Sequence, residues 1–319
     1  MIHTPLLDRQ LLFVSGKGGT GKTTLSAALA DLAVRQGKRV LVCEMDAKGT
    51  LADTFGVAVL GFEPTEVEPG LFAMAMNTED SLREYLRLFV RIPFVSKIGM
   101  LARTFDFVAD AAPGVKEILA IGKLCHEVRE RHYDLVIVDA EASGHIVGQI
   151  DAPRAIHELV KVGLVREQTE WMLEILDDPQ RTGLVVVATP EEMPVTETVE
   201  LVSKVRSTTQ VDVAAVIVNR MLPQWFSEDD TALLTTVAGP AGLQALSDVV
   251  GTKSGKKVAT VLRAAQLAVG RRHVAESHVA DLRAGVPAEV PLLVVPELYA
   301  RASGRRMIAR LADELAGVQ

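Results

Sequence analysis

The fold of this chain is decided by residues 11–24, which read Leu11-Leu12-Phe13-Val14-Ser15-Gly16-Lys17-Gly18-Gly19-Thr20-Gly21-Lys22-Thr23-Thr24. The apolar start predicts a buried strand, and the glycines after it predict a phosphate-binding loop that opens a helix. Backbone N–H groups of such a loop surround the β-phosphate at the positive end of the helix. Lys22 reaches the β- and γ-phosphates, and the Thr23 hydroxyl binds Mg²⁺. We therefore predict a site for a nucleoside triphosphate and Mg²⁺ at residues 16–24.

The same glycines also fit the fingerprint of a dinucleotide-binding loop, Gly16-x-Gly18-x-x-Gly21. Glu44 ends the next predicted strand, where a ribose-binding acid would lie in that alternative. A dinucleotide loop has no use for Lys22 and Thr23, whereas a triphosphate with Mg²⁺ needs both residues. The triphosphate interpretation is therefore favoured.

The composition is that of a globular protein and limits the classes of function. The chain has 319 residues, of which 48% are hydrophobic and 24% charged, so it can bury a large core. A net charge of −7 argues against nucleic acid as the main partner. Cys43 and Cys125 are too few for a disulfide framework and fit a reducing compartment. With no secretion signal and no apolar run long enough to span a membrane, we expect a cytoplasmic location.

Seven apolar, β-branched runs recur along the chain, with helical patterns between them. Such runs are typical of strands that are buried on both faces of a parallel sheet. The alternation predicts a doubly wound, mainly parallel α/β sheet with its ligand site at the C-terminal ends of the strands. We expect one domain over residues 1–319, with a helical insertion at 78–130 and a second helical stretch at 154–177 that packs with it. The runs are Leu11–Ser15, Val40–Cys43, Leu71–Met76, Leu135–Val138, Leu184–Ala188, Val213–Val218 and Leu292–Val295.

Two aspartates follow predicted strands where chemistry on a triphosphate would need them. Asp139 follows the run 135–138 and fits the residue that holds Mg²⁺, partly through water. Asp46 follows the strand at 40–43, and its carboxylate could hold the attacking water in line as a catalytic group. Each could instead be an ordinary aspartate in a turn after a strand.

The loop resembles the deviant Walker A loop, in which a lysine follows the first glycine, as Lys17 does here. That loop is shared by nitrogenase iron proteins, Min and Par partition ATPases, arsenite-pump ATPases and tail-anchored-protein targeting ATPases. In those families the extra lysine crosses a dimer interface and touches the partner's nucleotide. The resemblance implies the SIMIBI type of P-loop NTPase fold and a catalytic role for Lys17, which would add positive charge near the γ-phosphate. A solvated loop lysine is the alternative.

Two further segments resemble the switches of the arsenite-pump and tail-anchored-protein targeting ATPases. Residues 46–56 are similar to switch I, with Thr50 and Asp53 at matching positions. Residues 139–145 are similar to switch II, which ends in Gly144-His145. The resemblance implies that these segments respond to the bound nucleotide.

The second half of the chain resembles the nucleoside-binding part of the same family. Glu191 matches a nucleotide-contacting glutamate, and Asn219 matches the asparagine that hydrogen-bonds adenine. Pro296 lies in the late loop, residues 291–297, that flanks the base. The pattern is most similar to single-loop actinobacterial proteins labelled anion-transporting ATPases. The resemblance implies ATP and Mg²⁺ as cofactors.

The chain also departs from the family pattern. Ala47 and Gly49 replace a proline and a histidine of switch I, and Ala140-Glu141-Ala142 replaces Thr-Ala-Pro of switch II. Glu141 is an unusual carboxylate close to the phosphates, which could slow hydrolysis by repulsion or could point away from them. There is no Cys-x-x-Cys, so we expect no zinc, and the cysteines of an arsenite site are missing.

The resemblance implies an ATP hydrolase that acts as a nucleotide-gated dimeric switch for an unknown client. The dimer would be a homodimer or a heterodimer with a related P-loop ATPase. Two alternatives stay open. One is a nucleotide-binding scaffold subunit with little turnover that is paired with another ATPase chain. The other is a chaperone or targeting factor for membrane-protein segments, in which apolar residues between positions 86 and 101 could line a client groove. No nucleic-acid partner is expected.

Overall fold

Eight strands form one sheet at the centre of the protein, for which a computed structural model describes residues 6–46, 48–87, 114–251, 255–299 and 304–317. The strands are β1 (Leu11–Gly16), β2 (Val40–Glu44), β3 (Thr65–Glu68), β4 (Leu71–Ala75), β5 (Leu135–Ala142), β6 (Thr182–Ala188), β7 (Val213–Met221) and β8 (Leu292–Pro296). Their order across the sheet is β3-β4-β2-β5-β1-β6-β7-β8. Every pairing between these strands is parallel except that of β3 with β4. The strand that precedes the phosphate loop, β1, therefore lies near the middle of the sheet.

Helices cover both faces of this sheet. They are α1 (Lys22–Arg35), α2 (Thr50–Phe55), α3 (Thr78–Tyr85), α4 (Val115–Arg129), α5 (Ser143–Leu159), α6 (Leu164–Leu176), α7 (Glu192–Thr208), α8 (Glu228–Thr236), α9 (Pro240–Val249), α10 (Gly255–Gly285) and α11 (Arg305–Gly317). Leu12 and Val14 of β1 pack with the side of α1, α2 and α11, whereas Leu11 and Phe13 pack with the side of α4 to α7. Because successive side chains of a strand point to opposite faces, a strand between two helical layers is apolar at every position. The predicted doubly wound α/β fold is confirmed.

The seven predicted strands are all present, and β3 is the one that the sequence analysis missed. Its residues Thr65-Glu66-Val67-Glu68 are mostly polar, because β3 lies at the edge of the sheet with one face in water. Gly70, with φ of +81°, makes the tight connection to β4. The strand therefore depends on its neighbour rather than on an apolar pattern of its own.

The stretch 154–177 contains the end of α5 and the whole of α6. The break falls at residues 160–163, where Gly163 takes φ of +93° before α6 begins. Helix α4 packs against both α5 and α6. Of the helical insertion expected at 78–130, the structure describes α3 and α4, so its boundaries stay a prediction. Residues 88–113, with most of the expected client groove, lie outside the described residues.

A buried ion-pair network joins α3 to α4. Lys123 of α4 donates to Glu84 of α3 at 2.8 Å and lies 2.7 Å from Glu127, and its side chain is only 6% exposed. His132 adds a 2.7 Å contact to the other oxygen of Glu127. Burial alone would lower the pKa of Lys123, but its hydrogen bonds to Glu127 and Glu84 outweigh burial and raise it. The lysine is therefore the charge that allows two carboxylates to be buried here.

Replacing Lys123 with methionine should lower the free energy of unfolding by about 3–5 kcal/mol, because it leaves buried carboxylates without their cation. Urea unfolding at pH 7, followed by circular dichroism, measures the change. Lys204→Met is the matched control, since Lys204 is exposed on α7, and it should change stability by less than about 0.5 kcal/mol. Equal stabilities of the two variants would show that the network does not depend on the lysine charge.

Candidate active site

The loop between β1 and α1 has a backbone that only glycine allows at key positions. Gly16 has φ of +146°, and a Cβ there would collide with the carbonyl oxygen of Val187 on β6. Gly21 has φ of +95°, and a Cβ there would collide with the side-chain amide of Asn219 on β7. The glycines therefore let the loop lie close against the neighbouring strands while α1 begins directly after it.

Lys22, the first residue of α1, is folded back over the loop. Its ammonium group donates to the carbonyl oxygens of Gly16 at 3.1 Å and Lys17 at 3.2 Å. Burial lowers the pKa of Lys22, although the negative charge of Asp139 opposes the effect. A partly desolvated cation at the N-terminus of a helix is suited to bind a phosphate group.

Thr23 and Asp139 meet beside the loop, where Asp139 lies within β5, three residues before the strand ends. The Thr23 hydroxyl donates to one carboxylate oxygen of Asp139 at 2.5 Å. The other oxygen, Oδ1, is buried and has no hydrogen-bond partner among the described residues. Burial raises the pKa of Asp139 to about 6. A buried carboxylate oxygen that lacks a donor is suited to a cation or to a water bound to one.

These two residues fit Mg²⁺ better than a metal held by protein side chains alone. Within the described ranges, no group of three or more His, Cys, Asp or Glu side chains could hold a metal ion. Mg²⁺ usually keeps several waters and binds through one or two protein oxygens together with substrate phosphates. Thr23 and Asp139 supply such a pair of oxygens at the mouth of a phosphate loop.

Replacing Asp139 with asparagine should stabilise the protein in the absence of divalent cations. Because burial raises the pKa from its ordinary value of 3.8 to about 6, the folded state binds this proton more tightly than the unfolded chain does. The ionised carboxylate therefore lowers the free energy of unfolding above pH 6. This destabilisation disappears as the pH falls from about 6 to about 3.8. We expect Asp139→Asn to raise the free energy of unfolding at pH 7 by up to about 3 kcal/mol.

Urea unfolding in EDTA at pH 7 and at pH 4 measures this change, and the gain should be lost near pH 4. Asp229→Asn, on the exposed surface of α8, is the control and should show neither effect. A destabilised Asp139→Asn protein at pH 7 would contradict the prediction.

Glu44 has a role that the sequence analysis did not foresee. It is buried at the end of β2, and its carboxylate accepts backbone N–H groups of Gly49 at 3.2 Å, Thr50 at 2.9 Å and Leu51 at 3.3 Å. A carboxylate in this position caps the N-terminus of α2 and stabilises its dipole. Glu44 thus holds the expected switch I helix, and nothing in this contact supports the ribose-binding role of the dinucleotide alternative.

Asp46 lies between Glu44 and that helix and forms an ion pair with Lys48. Its side chain is 43% exposed at the edge of the loop. Thr50 opens α2, while Asp53 lies on its exposed face. The carboxylate of Asp46 is therefore within the cleft but is held by a neighbouring lysine.

The expected switch II runs from the end of β5 into α5. Ser15 of β1 donates to the carbonyl oxygen of Glu141 at 2.8 Å, which ties the strand ends together. Gly144 and His145 fall in the first turn of α5, and the His145 side chain is 76% exposed. This segment reaches the site through Glu141 rather than through the histidine.

Lys17 forms an ion pair with Glu197 of α7. The second oxygen of Glu197 accepts the hydroxyl of Ser143, the first residue of α5, at 3.2 Å. One carboxylate on α7 therefore joins the loop lysine to the expected switch II. Glu197 carries no local sequence signal, and only the packing of α7 beside the loop reveals it.

A cleft of about 400 Å³ brings most of these residues together. It contains the exposed rim of the phosphate loop, the expected Mg²⁺ residues and both aspartates. Its lining residues are Gly18, Gly19, Gly21, Lys22, Thr23, Thr24, Glu44, Asp46, Lys48, Thr50, Asp139, Ala140, Glu141, Ala142 and Arg220. Asp53, Gly144 and His145 are not among them. Arg220 is, and the sequence analysis did not single it out.

A second, larger cleft of about 860 Å³ lies beside the first, between α10 and the ends of β6, β7 and β8. Glu191, Glu192 and Glu297 line it, together with Arg220. Pro296 does not line it, although the next residue, Glu297, does. This cleft is where the nucleoside end of a ligand held by the loop could lie.

Asn219, expected to bind adenine, contacts the phosphate loop itself. It is buried, and its amide nitrogen donates to the carbonyl oxygen of Thr20 at 2.8 Å. Its side-chain oxygen accepts the backbone N–H of Arg220 at 3.0 Å. Asn219 therefore holds the loop against β7, and a contact with the base stays a prediction.

Comparison with known proteins places this site in a family context. Residues 9–167 and 158–237 match the family model described as anion-transporting ATPase. ATPase BagA of Mycobacterium tuberculosis is 31% identical over 234 residues, which cover 70% of this chain and 68% of that protein. A protein of Aquifex aeolicus provisionally named arsenical pump-driving ATPase 2 is 26% identical over 245 residues, 67% of this chain and 81% of its own.

A more distant relative is the ATPase ASNA1 homolog of Entamoeba dispar, which is 24% identical over 254 residues. The alignment covers 66% of this chain and 76% of that protein. The residues that match the family model include every expected site residue except Pro296. None of the described helices is long and apolar enough to cross a membrane.

Proposed function

This chain belongs to the anion-transporting ATPase family, and we propose that it hydrolyses ATP with Mg²⁺ and works as a nucleotide-gated dimeric switch. The observation that carries the proposal is the contact between Thr23 and Asp139, which leaves one buried carboxylate oxygen without a partner beside the phosphate loop. Such an arrangement is what Mg²⁺ bound to nucleotide phosphates requires.

We assign the following roles to residues of the first cleft. Lys22 and the loop N–H groups bind the β- and γ-phosphates, while Thr23 and Asp139 hold Mg²⁺. When bound, the ion neutralises phosphate charge. Asp46 orients the attacking water once its carboxylate has left Lys48. Glu44 connects this chemistry to movement, because the helix that it caps, α2, begins four residues after Asp46.

Lys17 is the residue through which a second subunit would complete the site. Within one chain it is paired with Glu197, and both side chains are about 30% exposed, at 31% and 30%. An ion pair of this exposure contributes at most about 1 kcal/mol, so it can exchange for a partner's phosphate charge. Because Glu197 also accepts the hydroxyl of Ser143, its carboxylate links the position of Lys17 to the start of α5.

Glu197→Gln should therefore strengthen ATP-dependent association by about 2- to 5-fold, the equivalent of up to about 1 kcal/mol. Sedimentation velocity in Mg-ATP measures it, with the Asp46→Asn substitution present to prevent turnover. Glu200→Gln on the exposed side of α7 is the matched control. The gain should vanish when Lys17 is alanine, and a gain that survives Lys17→Ala would contradict the role of this ion pair.

The direct test of the function uses the purified chain with Mg-ATP and Mg-ADP. We expect turnover at an enzymatic rate, on the order of 1 s⁻¹ or above, and association in Mg-ATP that is reversed in Mg-ADP. The absence of both turnover and nucleotide-dependent association would overturn the proposal. Tight binding of Mg-ATP without turnover would instead favour the second candidate.

That second candidate is a nucleotide-binding scaffold paired with another ATPase chain, and Glu141 favours it. Glu141 lines the first cleft together with Glu44, Asp46 and Asp139, so it adds a fourth carboxylate to the cleft that would hold the phosphates. Negative charges that line the same cleft oppose the negative charge that builds up in phosphoryl transfer. A pull-down from native lysate with Asp46→Asn as bait in Mg-ATP, compared with Lys22→Ala, tests it. Capture of a second P-loop chain supports the scaffold, and capture of single-span membrane proteins supports the targeting alternative.

A further inference from the structure

The strand β7 has an irregular backbone turn at Arg220, its second-last residue. This residue has φ of +61°, a left-handed conformation that few residues other than glycine adopt. The pairing of β7 with β8 shifts between Val218 and Met221, which is the signature of a bulge. The side chain of Asn219 accepts the N–H of Arg220 and so supports the turn. Bulges often redirect a side chain beside an active site, and strained backbone persists there because the surroundings hold it.

The redirected side chain of Arg220 lies between the two clefts. Of the described residues, it alone lines both the phosphate-loop cleft and the larger cleft beside it. No hydrogen bond or ion pair joins its guanidinium to any other residue in the described parts of the chain. A strained backbone that turns an unpaired cation into a cleft points to a bound anion as its partner.

The sheet order indicates which part of a nucleotide would meet this cation. The phosphate loop follows β1, and the strands on one side of β1, β5 and β2, lead to Asp139 and Asp46. The expected Mg²⁺ and γ-phosphate chemistry therefore lies on that side. On the other side, β6 and β7 lead to the larger cleft, and Asn219 holds the loop there through Thr20. A nucleotide that extends from the loop toward the larger cleft would pass Arg220 with its α-phosphate.

Charge in the larger cleft supports the same assignment. Its lining sets three carboxylates, those of Glu191, Glu192 and Glu297, against Arg220 and Arg271, so a cation at its entrance helps to offset the repulsion of a bound anion. A guanidinium offers several donors in a plane and forms paired hydrogen bonds with phosphate oxygens. Arg220 has the charge, the donors and the position for this contact.

We propose that Arg220 binds the α-phosphate of the nucleotide and directs the nucleoside into the larger cleft. The inference rests on the proposed ATP binding and adds to it a residue that positions the nucleoside half. Because the α-phosphate is present in both ATP and ADP, the contact serves binding in both states and takes no part in cleavage of the γ-phosphate.

The test measures the affinities for ATP and ADP and the steady-state kinetics of hydrolysis for Arg220→Gln, Arg220→Lys and Arg220→Gly. We expect Arg220→Gln to lower the affinities for ATP and ADP equally, by about 10-fold, because one charge-assisted contact is lost. KM for ATP should rise to a similar extent, while kcat at saturating ATP stays within about twofold of wild type. Arg220→Lys should recover part of the loss, because it keeps the charge but not the paired donors.

Arg220→Gly separates the side chain from the backbone, since glycine adopts the left-handed conformation without strain. The proposal expects it to lose affinity as Arg220→Gln does, whereas a purely structural role predicts wild-type affinity. Arg263→Gln, on the exposed side of α10, is the matched control and should change the affinity for neither nucleotide. A lower affinity for ATP but not for ADP, together with a fall in kcat, would overturn the proposal, because it would assign Arg220 to the γ-phosphate.

The failure of this inference differs from failure of the proposed function. If wild type binds ATP and the Arg220 variants bind it equally well, the inference alone is wrong. If wild type binds neither nucleotide, the proposed function fails and the inference fails with it.

Discussion

Replacing Lys22 with alanine should reduce the affinity for ATP by at least about 1000-fold, the equivalent of roughly 4 kcal/mol. In a phosphate loop the lysine contacts the β- and γ-phosphates, where most of the nucleotide charge lies. Here the ammonium is bound to two loop carbonyl oxygens, those of Gly16 and Lys17, and burial has lowered its pKa. A phosphate is a far stronger partner than a carbonyl oxygen for such a cation, so its removal should cost most of the binding energy.

Fluorescence titration with a labelled ATP analogue measures the loss, and a thermal unfolding curve checks the fold. The loop should keep its shape in this variant, because its glycines and the bond from Asn219 to Thr20 set the backbone. Lys204→Ala, on the exposed surface of α7, is the control. Retention of ATP affinity within tenfold by a folded Lys22→Ala protein would contradict the assignment of the phosphate loop.

The central part of the fold could be predicted because its signals are local. Strands buried on both faces, such as Leu11–Gly16 and Val40–Glu44, are apolar at every position, and the glycine loop has a fixed spacing to its helix. The edge strand at Thr65–Glu68 could not be predicted, because its backbone hydrogen bonds to β4 do not depend on which side chains it carries. Residues 160–163 show the same limit, since the left-handed turn at Gly163 interrupts an otherwise helical pattern.

The site divides in the same way. The shared position of Lys22, Thr23 and Asp139 in one cleft could be predicted, because each residue lies at a fixed place next to a strand or loop. Glu197 and Arg220 could not be predicted. Glu197 comes from a helix packed beside the loop, and Arg220 lies where the pairing of β7 with β8 shifts in register. The hydrogen bond from Asn219 to Thr20 could not be predicted either. An asparagine at the position that matches the family pattern does not determine which neighbour its side-chain amide binds.

Replacing Asp46 with asparagine should lower turnover by about 100- to 10,000-fold while leaving ATP affinity nearly unchanged. The substitution keeps the size of the side chain but removes the negative charge that we propose holds the attacking water in line. Asp46 lies at the edge of the cleft, on the side of Asp139 and away from the second cleft, so its loss should not disturb binding of the nucleoside. Steady-state hydrolysis and ATP titration on the same preparation measure both effects.

Lys48 makes this prediction sharper, because it pairs with Asp46 and competes with the water for the same carboxylate. Lys48→Met should therefore leave the catalytic carboxylate intact and should retain turnover far above that of Asp46→Asn. Adding Lys48→Met to Asp46→Asn should change little, since the partner of the lysine is already gone. Normal turnover in Asp46→Asn would contradict the role of this aspartate. Equal losses in Lys48→Met and Asp46→Asn would show instead that the ion pair supports switch I, and that the water is activated elsewhere.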